Sequence, residues 1–233
     1  TMANVIAIAS GEHAKALGLS LLLAFASTVI CLLLAFPLGL ALKDSRLGKK
    51  GFMVFVFILP MWMNFLLRTM AWQVLLEKNG IINGMLTAIG LPSLNIINTS
   101  AAVILGMVYD YLPFMILPIY NALIKIDSSL IEAAYDLGAS KSLVLRKVIV
   151  PLSVPGIVSG VTMVFVPSLT TFAISNMLGG GKVNLIGNII EQEFTASSNW
   201  NLGSGLSLVM MIFIVISMAL IEKFDRNGEG NMI

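Results

Sequence analysis

The sequence predicts an all-α fold: a polytopic transmembrane helical bundle, with five spans visible. Three observations lead there. The chain is 58% hydrophobic and only 11% charged, with a mean hydropathy of +0.94. Soluble domains carry about 25% charged residues, so a soluble fold of this size could not cover itself with so few. Five stretches, roughly 17–42, 52–76, 101–124, 151–178 and 203–221, are near or above the ~20 mostly apolar residues that cross a hydrocarbon core. Three of them hold no charged residue, the second holds only Arg68 and the third only Asp110. In lipid the backbone must satisfy its own polar groups within the segment, which makes each stretch a helix.

In chain order, span 17–42 contains Cys31, the single cysteine, so no disulfide forms within the chain and Cys31 reads as a small apolar filler. Lys43–Gly51 is a short basic turn. Span 52–76 carries Pro60, Trp62 and Trp72. Residues 77–100, with Gly80, Gly84, Gly90 and Pro92, have turn chemistry. Span 101–124 leads into a long loop, 125–150, that reads as structured. Span 151–178 is followed by a polar loop, 179–202, with Glu191, Glu193 and Trp200, and then by the last span. Pro37, Pro60, Pro113, Pro118, Pro155 and Pro167 lie inside spans, where each removes a backbone donor and bends its helix. Several in one bundle fit a protein with a cavity and moving parts. Trp62, Trp72 and Trp200 read as interfacial anchors. The whole chain is one transmembrane domain.

The basic residues orient the bundle. Lys43, Arg46, Lys49 and Lys50 lie in the first loop, Lys125, Lys141, Arg146 and Lys147 in the third, and Lys223 and Arg226 in the tail; Lys15, Lys78 and Lys182 lie on the other side. The positive-inside rule places the richer side in the cytoplasm, with the N-terminus outside and the C-terminus inside. Residues 1–16 lack a basic n-region and a cleavage pattern, and the chain begins with Thr1. A further span upstream, a sixth, is therefore expected.

Loop 125–150 is the most informative segment. Asp127, Ser128 and Ser129 offer N-cap oxygens, and Ser129 with Glu132 matches a capping box. Leu130, Ala134 and Leu137 share one helical face, with Glu132 and Asp136 on another. Gly138 stands where a helix would end in a left-handed cap, and Ser140 begins a second helical run toward Pro151. The short amphipathic helix is either a surface helix lying on the membrane or a docking helix for a cytoplasmic partner.

Several chemistries are excluded. Gly179-Gly180-Gly181-Lys182 is not a phosphate loop, because Asn176 stands at the first glycine position and Val183 follows the lysine. His13 is the single histidine, which rules out a histidine-built metal site and a Ser/His/Asp triad. No catalytic residue and no metal ligand is expected. A net charge of +2 argues neither for nor against nucleic acid.

Asp110, within Tyr109-Asp110-Tyr111, is the outlier. A mid-membrane charge costs ~2.5–3.5 kcal/mol on insertion scales, so it should face a cavity or a partner. Three readings stay open: an ion pair with Arg68, a cation-attracting point in a translocation path with Tyr109 and Tyr111 as aromatic walls, or a protonated side chain in an interhelical hydrogen bond. Arg68 could equally snorkel toward the interface.

Glu132-Ala133-Ala134, three residues, Gly138, nine residues, then Val148-Ile149-Val150-Pro151 resembles the EAA signature, EAA-x3-G-x9-I-x-L-P, of the permease subunits of ABC importers. Val148 and Val150 are conservative departures from it. Leu112-Pro113-Phe114-Met115, Pro155-Gly156-Ile157 and Leu185-Ile186-Gly187-Asn188 narrow the resemblance to the B-type subunits of the spermidine/putrescine permease family, over about residues 14–222. The resemblance implies a type I ABC importer permease fold in a bacterial inner membrane, with six spans of which these are the last five. It implies that Glu132, Ala133, Ala134, Gly138 and, beside them, Lys141 form the ATPase-coupling segment. A second, C-type permease, two ATPase subunits and an external polyamine-binding protein are the implied partners, besides the bilayer and without nucleic acid. No cofactor is implied for this chain; ATP and Mg belong to the ATPase, and this chain is not an enzyme. Asp110, Tyr109, Tyr111, Arg68 and Glu193 are candidates for the substrate path, Asp110 and Glu193 as anions and the tyrosines as aromatic walls. The alternatives are a permease for another small solute, such as an amino-phosphonate, thiamine or ferric ion, or a membrane assembly protein without a transport role.

Overall fold

The structure, a computed structural model, describes residues 11–45 and 52–230, with the side chains of 52–54, 222 and 224–230 left aside. Thr1, Arg46, Lys49 and Lys50 lie outside the described residues, as does the side chain of Arg226. All regular elements among the described residues are helical: α1 (Gly11–Asp44), α2 (Phe52–Ile58), α3 (Phe65–Leu76), α4 (Ile81–Ala88), α5 (Ser100–Ile124), α6 (Ser128–Asp136), α7 (Lys141–Val144), α8 (Val150–Thr170), α9 (Ala173–Gly179), α10 (Ile186–Thr195) and α11 (Trp200–Gly230). Helices α1, α5, the run Lys141–Thr170 and the Trp200–Ile221 part of α11 are long and apolar enough to cross a membrane, and a bent pair brings the number to five.

That bent pair joins Phe55–Trp62 to Phe65–Ala88, so the stretch 52–76 is not one straight helix. Helix α2 tightens into a 3₁₀ turn at Leu59–Trp62, and the chain resumes as α3 after a bend of 95°. Pro60 cannot donate to the preceding turn and biases Leu59 away from the α-region. Asn64 then caps the new helix: its Oδ1 accepts from the backbone N–H of Leu66 at 2.9 Å and of Leu67 at 3.4 Å. Pro37, Pro113, Pro118, Pro155 and Pro167 sit within helices that run on through them. The stretch 151–178 also divides, at Thr171 and Phe172, into α8 and α9. The stretch 77–100, with its turn chemistry, and the polar stretch 179–202 each contain a helix, α4 and α10.

Contacts group the chain into two units. The first comprises residues 1–29, 61–110 and 165–215. Its core gathers Ala24, Leu169, Ile186, Leu206 and Met210, each at most 4% exposed, with Leu17, Phe165, Ile190 and Phe213 packed around them. Half-helices α3 and α9, each of which follows a break, pack together here. The second unit comprises residues 30–60, 111–164 and 216–233. In it Gly156 and Gly160 of α8 face α5: a Cβ at Gly156 would lie 2.6 Å from the Pro118 carbonyl oxygen, and one at Gly160 2.7 Å from the Met115 sulfur. Glycines four residues apart let two membrane helices approach this closely, which association in lipid depends on.

Candidate functional site

Helix α6 is built from its caps. Asp127 is the N-cap, and its Oδ1 accepts from the Ser129 N–H at 3.0 Å. That hydrogen bond holds the Asp127 carboxyl below the usual carboxylate range. The Ser129–Glu132 capping box is not the one used, because Asp127 already occupies the cap position. At the other end Gly138 has φ +80°, its N–H donates to the Tyr135 carbonyl at 2.8 Å, and the Ala139 N–H donates to the Ala134 carbonyl at 3.1 Å. This is a complete Schellman closure. A Cβ at Gly138 would meet nothing within 4 Å, so backbone conformation and not crowding demands the glycine.

Ser140 caps the next run, accepting from the Leu143 N–H at 3.4 Å. That run continues from α7 through a π-turn at Leu145–Ile149 into α8. The π-turn falls just before Pro151, where the ladder must absorb a missing donor; such turns recur at functional sites. The result is a helix–glycine–helix projection. Glu132, Ala133 and Lys141 are exposed, Ala134 is half-buried, and Leu137 is 89% exposed. A hollow of about 440 Å³ lies in its elbow, lined by Ala134, Leu137, Gly138, Leu143, Val144 and Lys147. Small side chains, an exposed leucine, a nearby carboxylate and a lysine make this a surface that another protein can seat against.

The buried charges lie elsewhere, in the first unit. Asp110 is 1% exposed and Arg68 7%, and Arg68 Nε stands 3.4 Å from Asp110 Oδ1. The two atoms are at ion-pair distance without an aligned hydrogen bond. Thr69 Oγ1 donates toward Asp110 Oδ2 at 3.2 Å, sharing its proton with the Phe65 carbonyl at 3.0 Å. Asp110 thus has both the contact of the ion-pair reading, to Arg68, and an interhelical hydrogen bond, from Thr69 on α3. Tyr109 is 37% exposed and meets Trp72 edge-on, with centroids 5.3 Å apart. Tyr111 is half-buried and belongs to the second unit; Glu193 is half-buried on α10. Of the five candidate path residues, Arg68 and Asp110 are at ion-pair distance, and Tyr109 immediately precedes Asp110 in sequence. Among the proposed anchors, Trp62 and Trp200 are largely exposed, whereas Trp72 is half-buried on Tyr109.

Sequence reasoning missed a third feature, the clamp at the α8–α9 break. Asn188 is 1% exposed. Its Oδ1 accepts from Ser175 Oγ at 2.6 Å and the Leu185 N–H at 2.9 Å, and its Nδ2 donates to Asn176 Oδ1 at 2.6 Å and the Phe172 carbonyl at 3.2 Å. Gly187 lies so close that a Cβ would come within 2.7 Å of the Thr171 carbonyl oxygen and 2.8 Å of that of Thr170. Ser20 Oγ of α1 accepts from the Ile186 N–H at 2.9 Å. The break is therefore held by one amide that satisfies four partners. The signal lay in the Gly187-Asn188 pair, which carried part of the family resemblance but had no assigned role.

Comparison with known proteins follows from this geometry. Residues 32–227 match the family described as binding-protein-dependent transport system inner membrane component. The spermidine/putrescine transport system permease protein PotB of Haemophilus influenzae is 38% identical over 235 residues, covering 98% of this chain and 82% of that protein. PotB of Escherichia coli is 34% identical over 209 residues, covering 89% and 76%. Among solved structures, a bacterial ABC transporter involved in import of the acidic polysaccharide alginate matches with a TM-score of 0.81 at 16% identity, covering 96% of this chain and 82% of that one. The MetNI methionine ABC transporter matches with a TM-score of 0.66 at 20% identity, covering 92% and 95%. These last two likenesses concern the fold.

Proposed function

The chain belongs to the binding-protein-dependent transport system inner membrane components, and we propose that it is the permease subunit of an ATP-driven importer of polyamines, spermidine or putrescine. The observation that carries this reading is the 38% identity to a spermidine/putrescine permease over 98% of the chain. The projecting helix α6 gives it a mechanism.

In this reading α6 is the coupling helix and faces the cytoplasm, as does the C-terminus. Ala133 and Ala134 allow close approach to a groove on an ATPase, Glu132 offers an acceptor at its edge, and Gly138 turns the chain back toward the membrane. The π-turn at Leu145–Ile149 joins this surface to α8, so displacement of the elbow is delivered to a spanning helix. This chain hydrolyses nothing; ATP and Mg are bound by two partner ATPase subunits. A second, C-type permease encloses the path with it, and an external polyamine-binding protein delivers the cargo. ATP binding favours one orientation of the cavity and hydrolysis the other, since a change of state needs a differential free energy that cargo alone does not supply.

Asp110 enters this mechanism as the partner of Arg68, not as a free anion. Its charge is balanced inside the first unit, which removes the main reason to place a polyamine ammonium on it.

The test is radiolabelled putrescine and spermidine uptake in a strain lacking its own polyamine importers, with this chain and all its partner subunits expressed. Restored uptake is expected. Failure with every subunit present in the membrane would sink the polyamine assignment and leave the fold and coupling roles for another small solute.

A further inference from the structure

A groove of about 520 Å³ opens on the first unit between α10, α11 and the α8–α9 break. It runs along α11 past Ser207, Met211 and Val215, one per turn, so it is about 12 Å long at 1.5 Å per residue. Its walls are apolar, with Phe172 and Phe194 on one side and the methionine and valine of α11 on the other. The one charged group in it is Glu191, which is half-buried and accepts at Oε1 from Thr195 Oγ1 at 3.2 Å. Two observations say what faces it. Met211 and Val215 are 56% and 60% exposed and lie in a run with exposed Leu208, Ile212 and Ile216, so the groove continues the exposed apolar face of a helix long and apolar enough to cross a membrane. Phe194 meets Trp200 edge-on with centroids 5.5 Å apart, and Trp200 is exposed, an arrangement suited to the headgroup level of a bilayer.

We propose that this groove binds one acyl chain of an aminophospholipid, with the primary ammonium of an ethanolamine headgroup held on Glu191. The chemistry selects this occupant. A polyamine needs several anions, and a single carboxylate among apolar walls would leave its other ammonium groups desolvated and unpaired. A choline headgroup has no N–H to donate to Glu191, and the net negative charge of a glycerol headgroup lipid is repelled by it. Aliphatic chain and methionine are matched in softness and shape. This inference does not depend on the cargo of the importer.

The experiment is native mass spectrometry of the protein purified from membranes with its accompanying subunits. After delipidation, phosphatidylethanolamine, phosphatidylcholine and phosphatidylglycerol with identical acyl chains are titrated in. The ethanolamine lipid is expected to bind about tenfold more tightly than the other two, the size of one charge-assisted hydrogen bond. Glu191→Gln should lower it to the choline level, and Met211→Trp, which fills the groove, should remove the specific adduct. Equal retention of the three lipids by the unmodified protein overturns the proposal without any variant. So does competition by spermidine, which would make the groove a polycation site. Protection of Met211→Cys from a lipid-soluble maleimide in the fully delipidated complex also overturns it, since a protein partner would then cover the groove.

Discussion

At the scale of single residues, the ion pair and the amide clamp make different demands. Removing one member of a buried pair strands the other charge, which typically costs about 3–5 kcal/mol. Arg68→Ala and Asp110→Ala should therefore each lower the unfolding temperature in detergent and the membrane yield, whereas Arg68→Met combined with Asp110→Leu should recover most of the loss. If Asp110→Asn abolishes uptake with unchanged thermal stability, the pair is not structural and Asp110 acts on cargo. Asn188→Ala would leave the buried Leu185 N–H without its acceptor, at about 1–3 kcal/mol for a buried group left unpaired, while Ser175 Oγ and the Phe172 carbonyl keep their bond to each other. A marked fall in unfolding temperature is expected, and a change within experimental error would mean that the clamp is incidental. Asp110 announced itself in the sequence because a lone acid in an apolar run has to be explained. Its neutralisation by Arg68 depended on which faces of α3 and α5 meet, which spacing alone leaves open. Asn188 was marked only by its place in the family resemblance, since an asparagine in a polar loop looks solvated until the break that it fills is visible.

At the scale of elements, α6 and its closure are the critical unit. Gly138→Ala forces a left-handed conformation on a residue with a Cβ, which costs about 1–2 kcal/mol. The helix should survive in part while ATPase co-purification falls; unchanged association would show that the elbow angle does not matter. The Asp127 cap is pH-dependent with a definite sign. Its folded-state pKa is lowered by the Ser129 N–H, so its support is present above the ordinary aspartate range and is lost as pH falls through the lowered value. Helicity of α6, followed by amide exchange, should therefore hold at neutral pH and decline only in acid; loss beginning near pH 7 would contradict the assignment of the cap. Gly187→Ala would drive a methyl into the carbonyls of Thr170 and Thr171 and should destabilise α10. The periodicity of 128–137, the glycine and Ser140 made this element legible in advance. The 95° bend was only half legible: Pro60 marked a disturbance, but nothing in the apolar run singled out Asn64 as the cap that restarts the helix. Helices α4 and α10 were hidden because glycine and polar residues dominate their flanks, and burial of Asn83 and Asn188 counts for more there than local propensity.

At the scale of the molecule, 11% charge pointed to a membrane protein, and five apolar stretches of spanning length made it all-α. The fold is shared with transporters for alginate and methionine at 16% and 20% identity, so architecture does not select cargo. Cargo rests on the much closer likeness to polyamine permeases, and the proposed coupling role rests on α6. The most direct test of the central claim, a permease that hydrolyses nothing and is driven through α6, is ATPase activity in proteoliposomes containing the assembled importer. Wild-type complex and Glu132→Arg complex are compared with and without cargo-loaded binding protein. Stimulation by the loaded binding protein in the wild type, and its loss in Glu132→Arg with all subunits still in the membrane, is the predicted result. Equal stimulation of both complexes would contradict it.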